Sequence, residues 1–164
     1  MANPARLYAE DYFAWTEHQA EALRAAGSLR PGSNQPLDWE NLAEEVESLG
    51  QSQRNALASH VANIIEHLVK LAHSPAVDPR AGWRSTIRRE RAAVERLLEK
   101  SPSLKADLAA TVATESRRAV RLAAEDLLDR GEITRTEYGV LRETIYTENE
   151  ALEDWYPPEA GTRP

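Results

Sequence analysis

Six residues in the middle of the chain have the types and spacing to do chemistry: Glu44 and Glu45, His67 and Lys70, Trp83 and Arg91. Together they supply acids, a base, two cations and an indole. At 100° per residue Glu45 lies beside Leu42 and Leu49, at the edge of an apolar helix face where a carboxylate is partly desolvated, while Glu44 falls on the polar side. His67 shares a flank of the next helix with His60 and Asn63, and Arg91 sits on the boundary of a third. A hairpin closed at Gly50 would lay the first two helices side by side. Glu45, His67 and Arg91 are then candidates for a catalytic site, with Glu44, Lys70 and Trp83 as candidate binding residues. The plainer reading is preferred: Glu45 pairs with Arg91 or His67 to fix helix register, and Trp83 is core.

Other chemistry is missing its signals. There is no phosphate-binding glycine loop, no G-x-S-x-G and no H-E-x-x-H. The residues three before His18, His60, His67 and His73 are Trp15, Leu57, Ile64 and Lys70, so the E-x-x-H of a di-iron bundle is absent. The lack of cysteine excludes disulfides, thiol catalysis and cysteine-ligated metals. Neither a metal nor a cofactor is expected.

The elements that must position these residues read as helices. Asp38 is the expected N-cap of a helix ending at Gly50, with Trp39, Leu42, Ala43, Val46 and Leu49 inward. A second helix, 52–72, turns Leu57, Val61, Ile64, Ile65, Leu68, Leu71 and Ala72 to one broad face. A third begins near Trp83 and aligns Ile87, Val94 and Leu97 around Glu90, whose carboxylate needs a partner, Arg54 being one candidate. Before these, a helix over 9–26 stops at Gly27, and Pro31, Gly32, Ser33, Asn34 and Pro36 mark a surface loop. After them, Ser101 and Pro102 open a helix to about 129, closed by Gly131. Leu104, Leu108, Val112, Ala119 and Leu122 line its seam, and Glu115 and Asp126 are expected to pair with arginines of neighbouring helices. Thr134 and Glu137 form a capping box for a last helix carrying Tyr138, Leu141, Ile145 and Leu152 inward. Trp155, Tyr156, Pro157 and Pro158 lid the bundle. The expectation is an all-α fold, one domain over 1–164 with about five main helices, a short arm at 1–7 and a disordered tail at 159–164.

At 164 residues, 41% hydrophobic and 29% charged, the chain suits a single globular domain. No signal segment and no run of roughly 18 apolar residues is present, so a cytoplasmic protein without membrane attachment is expected. The net charge of −7 argues against nucleic acid. Charge is uneven, however: Arg80, Arg84, Arg88, Arg89, Arg91 and Arg96 cluster, and 132–159 is acidic. Attraction of these segments within one fold or between subunits is the preferred account.

Several motifs in order identify the chain with a known family. They are Y-x-x-D-Y-F-A-W-T at 8–16, D-W-E-N-L-A-E-E-V-E-S-L-G at 38–50, H-L-V-K at 67–70, W-R-S-T-I-R at 83–88, S-P-S-L at 101–104 and D-W-Y-P at 154–157. In this combination the chain resembles domain-of-unknown-function family 29, small bacterial proteins. The resemblance implies all-α packing and brings no established activity. Against that family the loop at 28–37 is long, and Glu90 stands where a neutral amide is expected.

The function expected from these features is binding, to another protein or to itself, through a charged and aromatic surface, with a homodimer suggested by Trp15, Trp155 and Tyr156 near helix or chain ends. The alternative is an enzyme using Glu45, His67 and Arg91. A more distant one is nucleic-acid contact along the arginine face.

Overall fold

The computed structural model describes residues 4–29 and 37–158. Its helices are α1 (Pro4–Glu10), α2 (Tyr12–Ser28), α3 (Trp39–His73), α4 (Arg80–Lys100), α5 (Leu108–Asp129), α6 (Arg135–Leu141) and α7 (Glu148–Leu152), with a 3₁₀ turn over Pro102–Asp107. The fold is all-α, as expected, and no strand occurs among the described residues. No helix there is long and apolar enough to cross a membrane. The expected tail at 159–164, the loop residues 30–36 and residues 1–3 of the arm lie outside the described residues. From Pro4 the arm is already helical.

The two helices expected over 38–50 and 52–72 are one. Asp38 caps it as anticipated, accepting the Asn41 N–H at 3.2 Å, but α3 continues for 35 residues without a break at Gly50. Gly50 is there for closeness: a β-carbon built on it would overlap Thr16 Oγ1 and approach Thr16 Cβ to 3.3 Å. Gly27, expected to stop its helix, also lies inside it, and a β-carbon there would come to 2.8 Å from Trp39 Cβ.

The chain divides into two compact units, each assembled from two stretches: Met1–Ala56 with Arg96–Lys105, and Leu57–Glu95 with Ala106–Pro164. In the first, the expected helix over 9–26 is split at Asp11, which adopts extended backbone and caps α2 by accepting the Ala14 N–H at 3.0 Å. The same carboxylate accepts the Ser103 N–H at 2.7 Å and the Ser103 hydroxyl at 2.9 Å. Ser101, expected to cap a following helix, instead accepts the Phe13 N–H at 3.2 Å. Phe13, Thr16 and Ala20 of α2 are buried, as are Ala43 and Gly50 of α3, Leu98 and Leu104. Because the buried line of α3 follows its small residues, Leu42 and Leu49 are turned outward, 40% and 47% exposed. Both were expected in the core.

In the second unit the broad face of α3 is as read: Leu57, Val61, Ile64, Ile65, Leu68 and Leu71 are all at most 2% exposed. Each contributes on the order of 1.5–3 kcal/mol by leaving water. Ile87 and Val94 of α4 are buried, with Val112, Val120, Ala123, Ala124 and Leu127 of α5. Leu122, expected in that seam, is 59% exposed. Glu115 and Asp126 pair along their own helix, with Arg118 at 3.3 Å and Arg130 at 3.0 Å, and not with neighbouring helices. Gly131, with φ 69°, closes α5 as expected: its N–H donates to Leu128 O and that of Glu132 to Leu127 O. The Thr134–Glu137 capping box is present, but the expected last helix is two, because a second box at Thr147 and Glu150 starts α7. Ile145, in the connection, is 48% exposed, and Tyr146 is buried beside it. Both short helices pack against α5.

Candidate binding surfaces

The six candidate residues are built into two different settings. In the first unit Glu44 and Glu45 are exposed on α3 and make no hydrogen bond or ion pair among the described residues. Their neighbours Glu40 and Glu47 are occupied by Arg24, at 3.2 and 2.6 Å. Glu45 follows Leu42 by three positions and precedes Leu49 by four, so the three residues form a single stripe. The stripe is therefore two half-exposed leucines with an exposed carboxylate between them that has no partner among the described residues, and the expected burial of Glu45 does not occur.

In the second unit His67 and Lys70 are engaged by neighbours on their own helix. His67 donates from Nδ1 to the Asn63 carbonyl one turn back, at 2.7 Å. Lys70 pairs with Glu66 at 2.6 Å, also one turn back. Trp83 is half-buried in the first turn of α4. Without a hairpin at Gly50, nothing folds His67 back beside Glu45, and the pairing expected for register gives way to these local partners.

Arg91 does most. Its Nε donates to Ala151 O at 2.9 Å, and its Nη2 donates to Glu150 O at 3.0 Å and Trp155 O at 2.8 Å. It thus holds the C-terminal end of α7 and the segment after it, where carbonyls lack helical partners. Its guanidinium also lies 5.1 Å from the centre of the Tyr156 ring, and Arg84 lies 4.7 Å from the same ring. Burial lowers the Arg91 pKa, opposed by Tyr156, Asp154 and Glu153, and the group stays a cation.

Glu90 does find a partner, and it is His60, not Arg54: His60 Nδ1 donates to Glu90 Oε2 at 2.6 Å. Arg54 instead lies 4.6 Å from the Phe13 ring centre and 3.7 Å from Glu17. The position of Glu90 signalled the need for a partner, and His60 on the flank of the preceding helix was available. No comparable signal pointed to the clamp, whose acceptors are main-chain atoms some sixty positions away. A shallow depression lined by Glu148, Asn149 and Glu153 is open to solvent. Among the described residues no group of three or more His, Asp or Glu could hold a metal ion.

These features define an all-helical protein whose distinctive groups hold main chain or face solvent. The chain belongs to the family described as Domain of unknown function DUF29, whose model matches residues 7–156, as the motifs implied. It is similar to the crystal structure of an alpha-helical protein of unknown function from Rhodospirillum rubrum, with a TM-score of 0.70 and 25% identity over 90% of this chain and 89% of that one. No curated protein matches it.

Proposed function

We propose that the protein acts by binding another protein, and that the stripe of Leu42, Glu45 and Leu49 on α3 is a contact face. The observation that carries this is the exposure of both leucines, 40% and 47%, two turns apart on one helix face. A single exposed leucine is ordinary, but an aligned pair around a carboxylate with no partner among the described residues is a surface a partner helix can cover. The chemistry that fits is an amphipathic helix with apolar residues flanking a lysine or arginine opposite Glu45.

A homodimer through the same stripe is the second form of this reading. It is less favoured, because two-fold pairing in either orientation brings Glu45 close to its own copy and like charges meet near the axis. The opposed charged segments that first suggested self-association are also answered inside one unit, where the charges of Glu153 and Asp154 act on Arg91 and Arg84 lies over the Tyr156 ring. The engagement of His67 and Lys70 by neighbours on α3 and of Arg91 by main-chain carbonyls weighs against the enzyme alternative, and the net charge of −7 against nucleic acid. A cysteine-free chain suits the reducing cytoplasm.

The test is a photo-crosslinking residue at the exposed position 44, introduced as Glu44→benzoylphenylalanine in cells. A crosslink to a foreign chain, suppressed when Leu42→Ser and Leu49→Ser are added, is the expected result. Crosslinks of unchanged yield in the serine variant would remove this face from consideration. Crosslinks to a second copy alone would select the homodimer.

A further inference from the structure

The segment after α7 is seated on the second unit in a way that separates into a receptor and a ligand. The receptor side comprises Arg84 and Arg91 on α4 and the ring of Tyr146. Tyr146 is itself fixed, 6% exposed, with its N–H donating to Ser116 Oγ at 2.7 Å. The ligand side has no helix. It offers the Trp155 carbonyl to Arg91, the Tyr156 ring to both guanidinium groups, the Trp155 ring to Tyr146 in an edge contact at 6.2 Å and 68°, and Pro157 to the interior. Two carboxylates, Glu153 and Asp154, immediately precede these residues and act on Arg91 through their charge.

Two properties mark this ligand as displaceable. The Trp155 and Tyr156 side chains are only half-buried. Its hold beyond α7 is a few side-chain contacts, and stretches without regular structure held by few contacts open at low free energy compared with a packed helix. The seat has anchors of its own: Arg84 and Arg91 stand on α4, held by the buried Ile87 and Val94, and Tyr146 is tied to the buried Ser116 of α5.

We propose that this seat is a docking site for an acidic, aromatic, proline-ended peptide segment of a partner protein, and that the chain's own Trp155, Tyr156 and Pro157 fill it as an exchangeable plug. The specificity is visible in the plug. A planar guanidinium stacks on an aromatic face while its edge donates to a main-chain carbonyl, a geometry its rigid fork pre-organises better than an ammonium does, and the preceding carboxylates supply charge of the matching sign. A tethered plug competes at an effective concentration in the millimolar range, so the intact chain binds such a peptide weakly until the plug is displaced. This surface is distinct from the α3 stripe and does not depend on it.

The experiment uses a fluorescein-labelled peptide of the sequence of residues 152–158, titrated by anisotropy against the full chain. Tyr156→Ala should bind it at least about tenfold more tightly than wild type, since the competing plug is lost. Adding Arg84→Gln in that background should return the affinity to the wild-type level. Equal binding by wild type and Tyr156→Ala would overturn the proposal, as would indifference to Arg84→Gln. Tighter binding of a labelled oligothymidylate than of the peptide by Tyr156→Ala would make the seat a general anion site and also overturn it. Should Tyr156→Ala fail to fold, hydrogen exchange on the wild type decides. Saturating unlabelled peptide should speed exchange of the Trp155 amide, which donates to Glu153 O at 2.8 Å, and no change at saturation refutes displacement.

Discussion

The corner where α2 begins and the corner where α7 ends solve opposite problems with opposite tools. At the first, free N–H groups are taken by short acceptors: Asp11 serves Ala14 and Ser103, and Ser101 serves Phe13. At the second, carbonyls are taken by one long donor, Arg91, reaching three of them. The same contrast runs through the two units. The first relies on closeness, with glycines at positions 27 and 50 where a β-carbon would collide. The second relies on reach: Arg80, only 9% exposed, also holds carbonyls, those of Leu71, Ser74 and Ala76. Short side chains bind what packing has brought very near, whereas each long one gathers several main-chain carbonyls at once.

The contrast is broken or sharpened first at Arg91. Arg91→Gln leaves carbonyls of Glu150, Ala151 and Trp155 without their donor and is expected to destabilise the fold by about 3 kcal/mol in chemical denaturation. Arg91→Lys should recover only part of this, because one ammonium cannot serve three carbonyls and a ring. A full recovery would mean that charge, not the planar fork, does the holding. Next is closeness: Gly50→Ala should cost about 2 kcal/mol by overpacking against Thr16. In a double-mutant cycle Thr16→Ala should relieve about 1 kcal/mol of that cost. Additive losses would show that Thr16 is not what Gly50 makes room for.

Asp11→Ala is expected to cost about 1 kcal/mol, the usual worth of an N-cap, and a loss as large as that of Arg91→Gln would erase the distinction between the corners. A smaller effect concerns Tyr146, whose phenol burial, with help from the charge of Glu150, pushes far above its ordinary 10.0. Since the folded value is the raised one, the neutral phenol contributes stability below pH 10 that is lost as pH rises above it. Melting curves between about pH 9 and 11 should therefore fall more steeply for wild type than for Tyr146→Phe. Least of all, Leu42→Ser with Leu49→Ser should change stability by within about 0.5 kcal/mol per site, whereas a large drop would mean that these leucines are core after all.

What the sequence made legible follows the same division. Asp38, the Thr134–Glu137 box and Gly131 were readable because a cap and a left-handed stop are decided within a few residues. The broad face of α3 from Leu57 to Leu71 was readable because large apolar side chains dominate the pattern. Gly27 and Gly50 were misread because a glycine that ends a helix and a glycine that admits a neighbouring one look alike in a string of letters. That error removed the hairpin and with it the shared setting imagined for Glu45 and His67. Leu42 and Leu49 were assigned inward because the line actually buried, through Ala43 and Gly50, carries almost no hydrophobic signal. Among the candidate residues, Arg91 was chosen for its charge, yet it contacts main chain, which every residue possesses and no sequence advertises.

Each unit is assembled from two separated stretches of the chain, and this sets an order for synthesis. The nascent chain emerges amino end first, so Asp11 and the Phe13 amide leave the ribosome long before Ser101 and Ser103, their partners. Until then the first unit lacks its second stretch, and the second unit waits on α5 to α7. A product halted at residue 95 would therefore contain neither unit whole, and no single cut in the chain yields a fragment with one complete unit and nothing else. The first unit has all its residues only once Lys105 has been made, and the second only after α5 to α7 have followed.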